Sequence, residues 1–286
     1  MQPLDAAAID PDKILADVPG RPSESYFWRR KRDRCLALLR RHAEFAAPAR
    51  TPTTKTFLDL GCGWGTDLYF FTQAQQAFRA SGAPSHTWHF LAIDGQETSL
   101  ALTRQRLATA TVPVDIRRAD FESAIPVPDA TADVLFCSEV IEHLLDPLPL
   151  IREWRRVLKP GGLLLVTTPN EPNLLQPSFY SRARRERNRQ RLLKTPTVVT
   201  TPEGETFNYW GHIGIRPIDE WEAIFRAEQL ALVDFERGAL VYGTSIHDHP
   251  LVFWPRMLAE RVLDALPRSL TRFVSDELIA LYRVAR

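Results

Sequence analysis

The sequence is poor in cysteine and has no long apolar run, and each absence excludes a class of function. Its three cysteines, Cys35, Cys62 and Cys137, lie far apart and form no Cys-x-x-Cys pair, so neither a disulfide framework nor a zinc knuckle is expected. That usage fits a reduced, cytoplasmic setting. No stretch of 18 apolar residues occurs, so no transmembrane helix is expected. The opening MQPLDAAAIDPDK lacks the basic region and apolar run of a secretory leader. Excess charge is missing too. Lys and Arg number 36 against 35 Asp and Glu, a net charge of +1, and the overall field points to no partner.

What is present is an alternation of apolar strands and amphipathic helices. Residues 23–46 read as a helix with Ser23 as N-cap and Leu36, Leu39 and Phe45 toward a core, and Pro48 and Pro52 follow as breakers. Strands are expected at 56–60, 88–94, 112–118, 132–138 and 161–169, with helices at 65–80, 97–108 and 139–158 between them. This order argues for a parallel sheet covered by helices, with ligands at the carboxyl ends of its strands. Residues 170–215 break the rhythm. They hold SRARRERNRQRLLK, with six arginines and one lysine, and read as an insertion over the ligand edge. A helix is expected at 216–230 and the last two strands at 231–238 and 277–286. The 251–270 segment between them is amphipathic, with Phe253, Trp254, Met257, Leu258 and Leu263.

The segment LDLGCGWGTD follows the first strand and opens a helix. Gly61, Gly63 and Gly65 are spaced Gly-x-Gly-x-Gly, and Thr66 stands where the third glycine of a dinucleotide loop would be. Asp59 adds a carboxylate, unwelcome beside phosphates and suited to an ammonium group or another cation. With FLAIDGQ, RADFES, ADVLFCSEVIEHLLDP and LKPGGLLLVTTPN, the chain resembles the class I S-adenosylmethionine-dependent methyltransferases over about residues 55–240. Within them it resembles the branch of the ubiquinone-pathway O-methyltransferases.

The resemblance implies an α/β fold: a Rossmann-like, doubly wound, mostly parallel seven-stranded sheet with helices on both faces. An N-terminal helix precedes it and an insertion follows the fifth strand. Residues 1–52 form an N-terminal segment and cap helix. Residues 53–286 form the methyltransferase domain, with the 170–215 insertion and the 251–270 amphipathic segment. S-adenosylmethionine is the implied cofactor. Asp59, Gly61, Cys62, Gly63 and Gly65 hold its methionine part, and Asp94 with Gly95 holds the ribose. Asp120 and Phe121 take the adenine, while Cys137, Ser138 and Glu139 line the floor. One departure is the 33-residue step from Gly61 to Asp94, longer than the family's usual spacing. Cys62 and Cys137 read as packed small residues rather than nucleophiles.

Methyl transfer to oxygen needs a base near the methyl group or a metal that lowers the hydroxyl pKa. If the helix starts at Ser138 or Glu139, then Glu139, Glu142 and His143 share one face, and His212 closes the insertion nearby. His143, His212 and Glu142 are the catalytic candidates. The same residues with Glu139 resemble the divalent-metal set of the small-RNA ribose 2′-O-methyltransferases, an alternative not favoured over the base. CSEV stands where an NPPY-type motif would mark amino-methylation of nucleobases. The expected acceptor is therefore a small molecule, amphiphilic or anionic. The arginine run lacks interleaved aromatics for stacking on bases, which speaks against nucleic acid. The 251–270 segment reads as a lid, a dimer face or a peripheral membrane contact. The rivals are a metal-dependent RNA ribose 2′-O-methyltransferase and a non-catalytic scaffold that binds the cofactor.

Overall fold

The structure, a computed structural model, describes residues 22–108, 110, 112–120, 124–170, 182–195, 197–200, 206–209, 211–240, 249–271, 274 and 277–285. Helix α1 (Pro22–Ala43) leads into β1 (Thr54–Leu60), α2 (Thr66–Ala80), β2 (Thr87–Asp94), α3 (Glu97–Leu107) and β3 (Val114–Arg118). Next come β4 (Ala132–Ser138), α4 (Leu148–Val157) and β5 (Leu158–Pro169). The insertion carries α5 (Arg182–Lys194), β6 (Thr197–Thr200) and β7 (Thr206–Tyr209). The chain closes with α6 (Ile218–Ala227), β8 (Leu230–Arg237), α7 (Pro250–Asp264), α8 (Arg268–Thr271) and β9 (Glu277–Val284).

The main sheet has seven strands in the order β3-β2-β1-β4-β5-β9-β8, and β6 pairs with β7 apart from it. Strands β1 to β5 are parallel, while β9 runs antiparallel to both β5 and β8. The chain winds outward from β1 to β3 and then returns to lay β4 beside β1. That reversal opens a crevice at the carboxyl ends of β1 and β4.

Side chains alternate across a sheet, and the sequence exploits both faces. Leu58, Leu60, Leu135, Cys137, Leu164 and Val166 pack with Trp154 of α4 and Trp221 and Phe225 of α6. Phe57, Val134, Phe136, Leu163 and Leu165 pack with Leu36, Leu38 and Leu39 of α1 and Phe71 of α2. The same period carries polar residues onto the α1 face at the strand ends. Asp59 follows Phe57, Ser138 follows Phe136, Thr167 follows Leu165 and Glu277 precedes Ile279, each by two residues. The polar floor of the crevice is thus the continuation of an apolar stripe.

Two expected helices end or begin elsewhere. α1 stops at Ala43 rather than 46, because Glu44 turns left-handed (φ 55°) and the Phe45 N–H reaches back to Leu39 O at 3.3 Å. The left-handed residue and this backbone bond together close the C-terminus of the helix. It drops Phe45, fully buried, among Phe57, Phe71, Trp88 and Phe90 at centroid distances of 5.1–6.1 Å. The second difference corrects the helix expected over 139–158. Glu139 is left-handed (φ 55°), Ile141–His143 is a single 3₁₀ turn, and α4 spans only Leu148–Val157. Pro147 disfavours helical geometry at Asp146, whose Oδ1 instead accepts from Leu148 N at 3.0 Å. Glu139, Glu142 and His143 therefore do not lie on one face of an α-helix.

Candidate functional site

The glycine loop is built by β1, β2 and α3 together. Gly61 N and Cys62 N both donate to Ile93 O, at 2.8 and 3.1 Å, which ties the loop to the end of β2. Gly61, Gly63 and Gly65 all have left-handed φ, at 74°, 52° and 70°. At Gly65 glycine is required twice over, since a Cβ would also lie 2.8 Å from Thr103 Cγ2 of α3. The Thr103 hydroxyl in turn donates to Gly63 O at 2.7 Å. A Cβ at Gly63 would meet nothing within 4 Å, so this glycine borders the open crevice. Asp94, at the end of β2, accepts from Gly63 N on Oδ2 and from Gln96 N on Oδ1, each at 2.9 Å. A carboxylate has about four acceptor positions, and those not used by the backbone suit a vicinal diol.

Below the loop the polar ends of the α1 face meet Lys31, which comes down from α1 and is buried at 1% exposure. Its ammonium donates to Ser138 Oγ at 2.9 Å, lies 3.9 Å from Glu277 and 4.0 Å from Asp67, and sits 3.9 Å from the centre of the Trp28 ring. Thr167 Oγ1 donates to Glu139 Oε1 at 2.8 Å and is 2.9 Å from Ser138 Oγ. Burial alone would weaken the hold of Lys31 on its proton, but Asp67, Glu139 and Glu277 outweigh it and raise its pKa. Burial pushes the Glu277 carboxyl well above the ordinary range, Glu139 adding to this and Lys31 opposing it. Asp59 is raised in the same way, by burial and then by Asp67 and Asp94. Several carboxyl groups thus surround Lys31, and Arg32 pairs with Asp67 as well, at 3.2 Å. Buried acids with raised pKa values gain from a cation brought among them. That charge balance fits a ligand carrying an ammonium and a sulfonium.

A third group stands where the 3₁₀ turn meets the end of the insertion. Glu142 is fully buried; its Oε2 accepts from Thr168 Oγ1 at 3.2 Å. Its Oε1 lies 3.9 Å from His143 Nε2 and has no hydrogen-bond partner among the described residues. His143 Nδ1 is 3.0 Å from Gly211 O, and the His143 and His212 rings are 4.9 Å apart. Ligand atoms of Glu142, His143 and His212 all lie within 4.8 Å of one another. The 3₁₀ turn brings these three together without an α-helix, and Glu139 turns away toward Thr167. Desolvation lowers the pKa of both histidines. Burial, then the charge of Glu139, pushes Glu142 well above the carboxylate range.

The remaining expected residues are more scattered. Gly95 borders β3 through Ala119 O, 3.6 Å from where its Cβ would be. Asp120 is exposed just beyond β3, and Phe121 lies outside the described residues. Burial raises the thiol pKa of both Cys62 and Cys137, which leaves neither as a thiolate. Lys31, Thr167 and Glu277 escaped the sequence reading. Nothing in FWRRKRDR marks which cation is buried, whereas the alternation in ELIALYRV puts Glu277 on the same face as Ile279 and Leu281.

Comparison with known proteins places the central part of the chain among methyltransferase-like sequences. A family model described as a methyltransferase domain matches residues 58–166. A probable S-adenosylmethionine-dependent methyltransferase of Mycolicibacterium smegmatis is 33% identical over 172 residues, 56% of this chain and 56% of that protein. A ubiquinone biosynthesis O-methyltransferase of Pseudomonas paraeruginosa is 34% identical over 116 residues, 41% and 45% of the two chains. The chain spans about half the length of these curated relatives. A crystal structure of a SAM-dependent methyltransferase from Aquifex aeolicus superposes with a TM-score of 0.50 at 16% identity, covering 97% of this chain and 100% of that one. Residues 58–166 of this chain thus match a methyltransferase-domain family, and its seven-stranded sheet shares the fold of a solved S-adenosylmethionine-dependent methyltransferase.

Proposed function

We propose that this protein transfers a methyl group from S-adenosylmethionine to an oxygen of a small, amphiphilic acceptor. The observation that carries the reading is the meeting of His143 and His212, their rings 4.9 Å apart, at the 3₁₀ turn that follows β4. Asp94 binds the ribose hydroxyls, Asp120 the adenine amino group, and Asp59 with Gly61, Cys62, Gly63 and Gly65 the methionine part. Ser138 and Glu139, held by Lys31 and Thr167, form the floor. When bound, the cofactor supplies an electrophilic methyl whose leaving group is a neutral thioether, so no acid is needed. The acceptor hydroxyl must lose its proton. His143 is suited to take it. Gly211 O holds the ring proton on Nδ1, and the lowered pKa keeps the ring neutral at neutral pH, with Nε2 as its basic nitrogen. The named O-methyltransferase relative supports oxygen as the acceptor atom.

A divalent cation is the second reading, favoured by the convergence of Glu142, His143 and His212 and by the unpaired Glu142 Oε1. One carboxylate and two imidazoles suit magnesium, manganese or zinc. This set belongs to the alternative of a metal-dependent RNA ribose methyltransferase. The test is a screen of candidate phenols, catechols, lipid-linked sugars and short RNAs with methyl-tritiated cofactor, with and without EDTA. The base reading predicts transfer to a small hydroxyl acceptor that EDTA leaves intact. It also predicts that His143→Ala slows turnover by about 10²-fold or more while cofactor affinity stays unchanged. Loss of transfer in EDTA, restored by a divalent ion, would favour the metal.

A further inference from the structure

The outward side of α7 carries an unbroken apolar row. Leu251 is 79% exposed, Trp254 64%, Leu258 63% and Val262 57%, and Leu266 and Leu270 extend the line at 44% and 68%. Steps of three and four residues place the first four along one stripe of the helix, and Leu266 and Leu270 follow beyond its end. The helix is firmly docked by its other side. Glu260 is fully buried and accepts from Arg30, Arg34 and Leu240 N at 2.9–3.0 Å. Phe253 packs against Tyr26 of α1 at a centroid distance of 5.9 Å. The exposed row is therefore a fixed feature of the surface.

We infer that this face of α7 rests on a membrane surface that carries anionic lipid. Charge selects that occupant. No acidic residue stands in the apolar row, and Arg261 beside it has no ion-pair partner among the described residues. A groove of about 290 Å³ between α1 and α7 is edged by the exposed Arg29 and Arg261. Arg30, Arg34 and Arg237 behind it are paired with Glu260 or Asp264, and Arg29 and Arg261 form the cationic border. An apolar ridge with an aromatic residue and a cationic border matches the headgroup and acyl boundary of an anionic bilayer. A second copy of this chain fits less well, since a two-fold contact sets the same patch against itself and brings arginine against arginine. No helix among the described residues is long and apolar enough to cross a membrane, so the contact is interfacial. Because α1 carries both Tyr26, against α7, and Lys31, at the strand ends, the docking face lies close behind the proposed site. The inference does not depend on the identity of the acceptor.

The experiment is co-sedimentation of the full chain with vesicles of phosphatidylcholine alone or mixed equally with phosphatidylglycerol, across a salt series. The expected result is binding to the mixed vesicles that weakens as salt rises. Leu258→Glu should reduce it by at least about tenfold, and Trp254→Glu, one turn away, should do the same. Arg261→Glu should weaken binding and flatten its salt dependence. Melting curves and cofactor binding of the three variants should match the wild type, which separates lost docking from lost folding. Failure to bind the mixed vesicles would overturn the inference, as would binding that Leu258→Glu leaves unchanged. So would a wild-type dimer in solution that Leu258→Glu dissociates without any vesicle binding.

Discussion

Lys31 is the residue on which the site's charge balance turns. It lies among Asp67, Glu139 and Glu277 at the strand ends, while Arg32 holds the other oxygen of Asp67 at 3.2 Å. Removing one partner of a buried charge set leaves the others uncompensated, at a cost of about 3–5 kcal/mol. Lys31→Met should therefore lower the unfolding free energy in urea by that amount, and adding Glu277→Gln should recover part of it. A loss within experimental error would mean that the carboxyl groups are already neutral. Asp94 carries a different burden. Its hydrogen bonds from Gly63 N and Gln96 N shape the loop. The sequence made Asp94 legible, because an acid closing an apolar strand is a recognisable pattern, but left Lys31 hidden. Burial of one cation among RRKR is decided by the angle at which α1 crosses the sheet, and no local pattern encodes that.

Among the elements, the strands were the most legible. The fourth runs over Ala132–Ser138, as its apolar residues predict, and the glycine loop falls between β1 and α2. The segment after β4 was not legible as a helix start, since two prolines and a left-handed Glu139 replace the expected turn. Even so, Glu142 and His143 still meet His212, because Gly214 N donates to Glu142 O at 2.7 Å and fastens the end of the insertion to the 3₁₀ turn. The loop before α2 offers the sharper test. Gly65→Ala places a β-carbon on Thr103 and forces alanine into left-handed geometry, which costs about 1–2 kcal/mol before the clash is counted. The variant should melt lower and bind cofactor at least about tenfold more weakly. Wild-type affinity in Gly65→Ala would show that the loop conformation is not needed for binding.

At the scale of the molecule, an ion-pair group joins the first helix to the C-terminal part of the chain. Asp234 of β8 joins His42 of α1 at 2.9 Å, Arg41 at 3.2 Å and Arg268 of α8 at 2.8 Å. Burial alone would raise its pKa, but these partners together hold it below the ordinary value. A depressed carboxylate adds stability above its unfolded pKa, and that stability is lost as pH falls through its folded value. Asp234→Asn should therefore cost about 1.5–3 kcal/mol at neutral pH. The gap between variant and wild type should close below about pH 4, the ordinary range for aspartate, in unfolding titrations by circular dichroism. A gap that persists at pH 2 would assign the effect to packing.

The central claim is that the crevice beside Asp94 binds S-adenosylmethionine. Isothermal titration calorimetry of the full chain with that cofactor tests it most directly. The account predicts saturable binding at one site, weakened at least about tenfold by Asp94→Ala through the loss of charge-assisted hydrogen bonds. Absence of binding heat at more than one temperature, or equal affinity in Asp94→Ala, would contradict it.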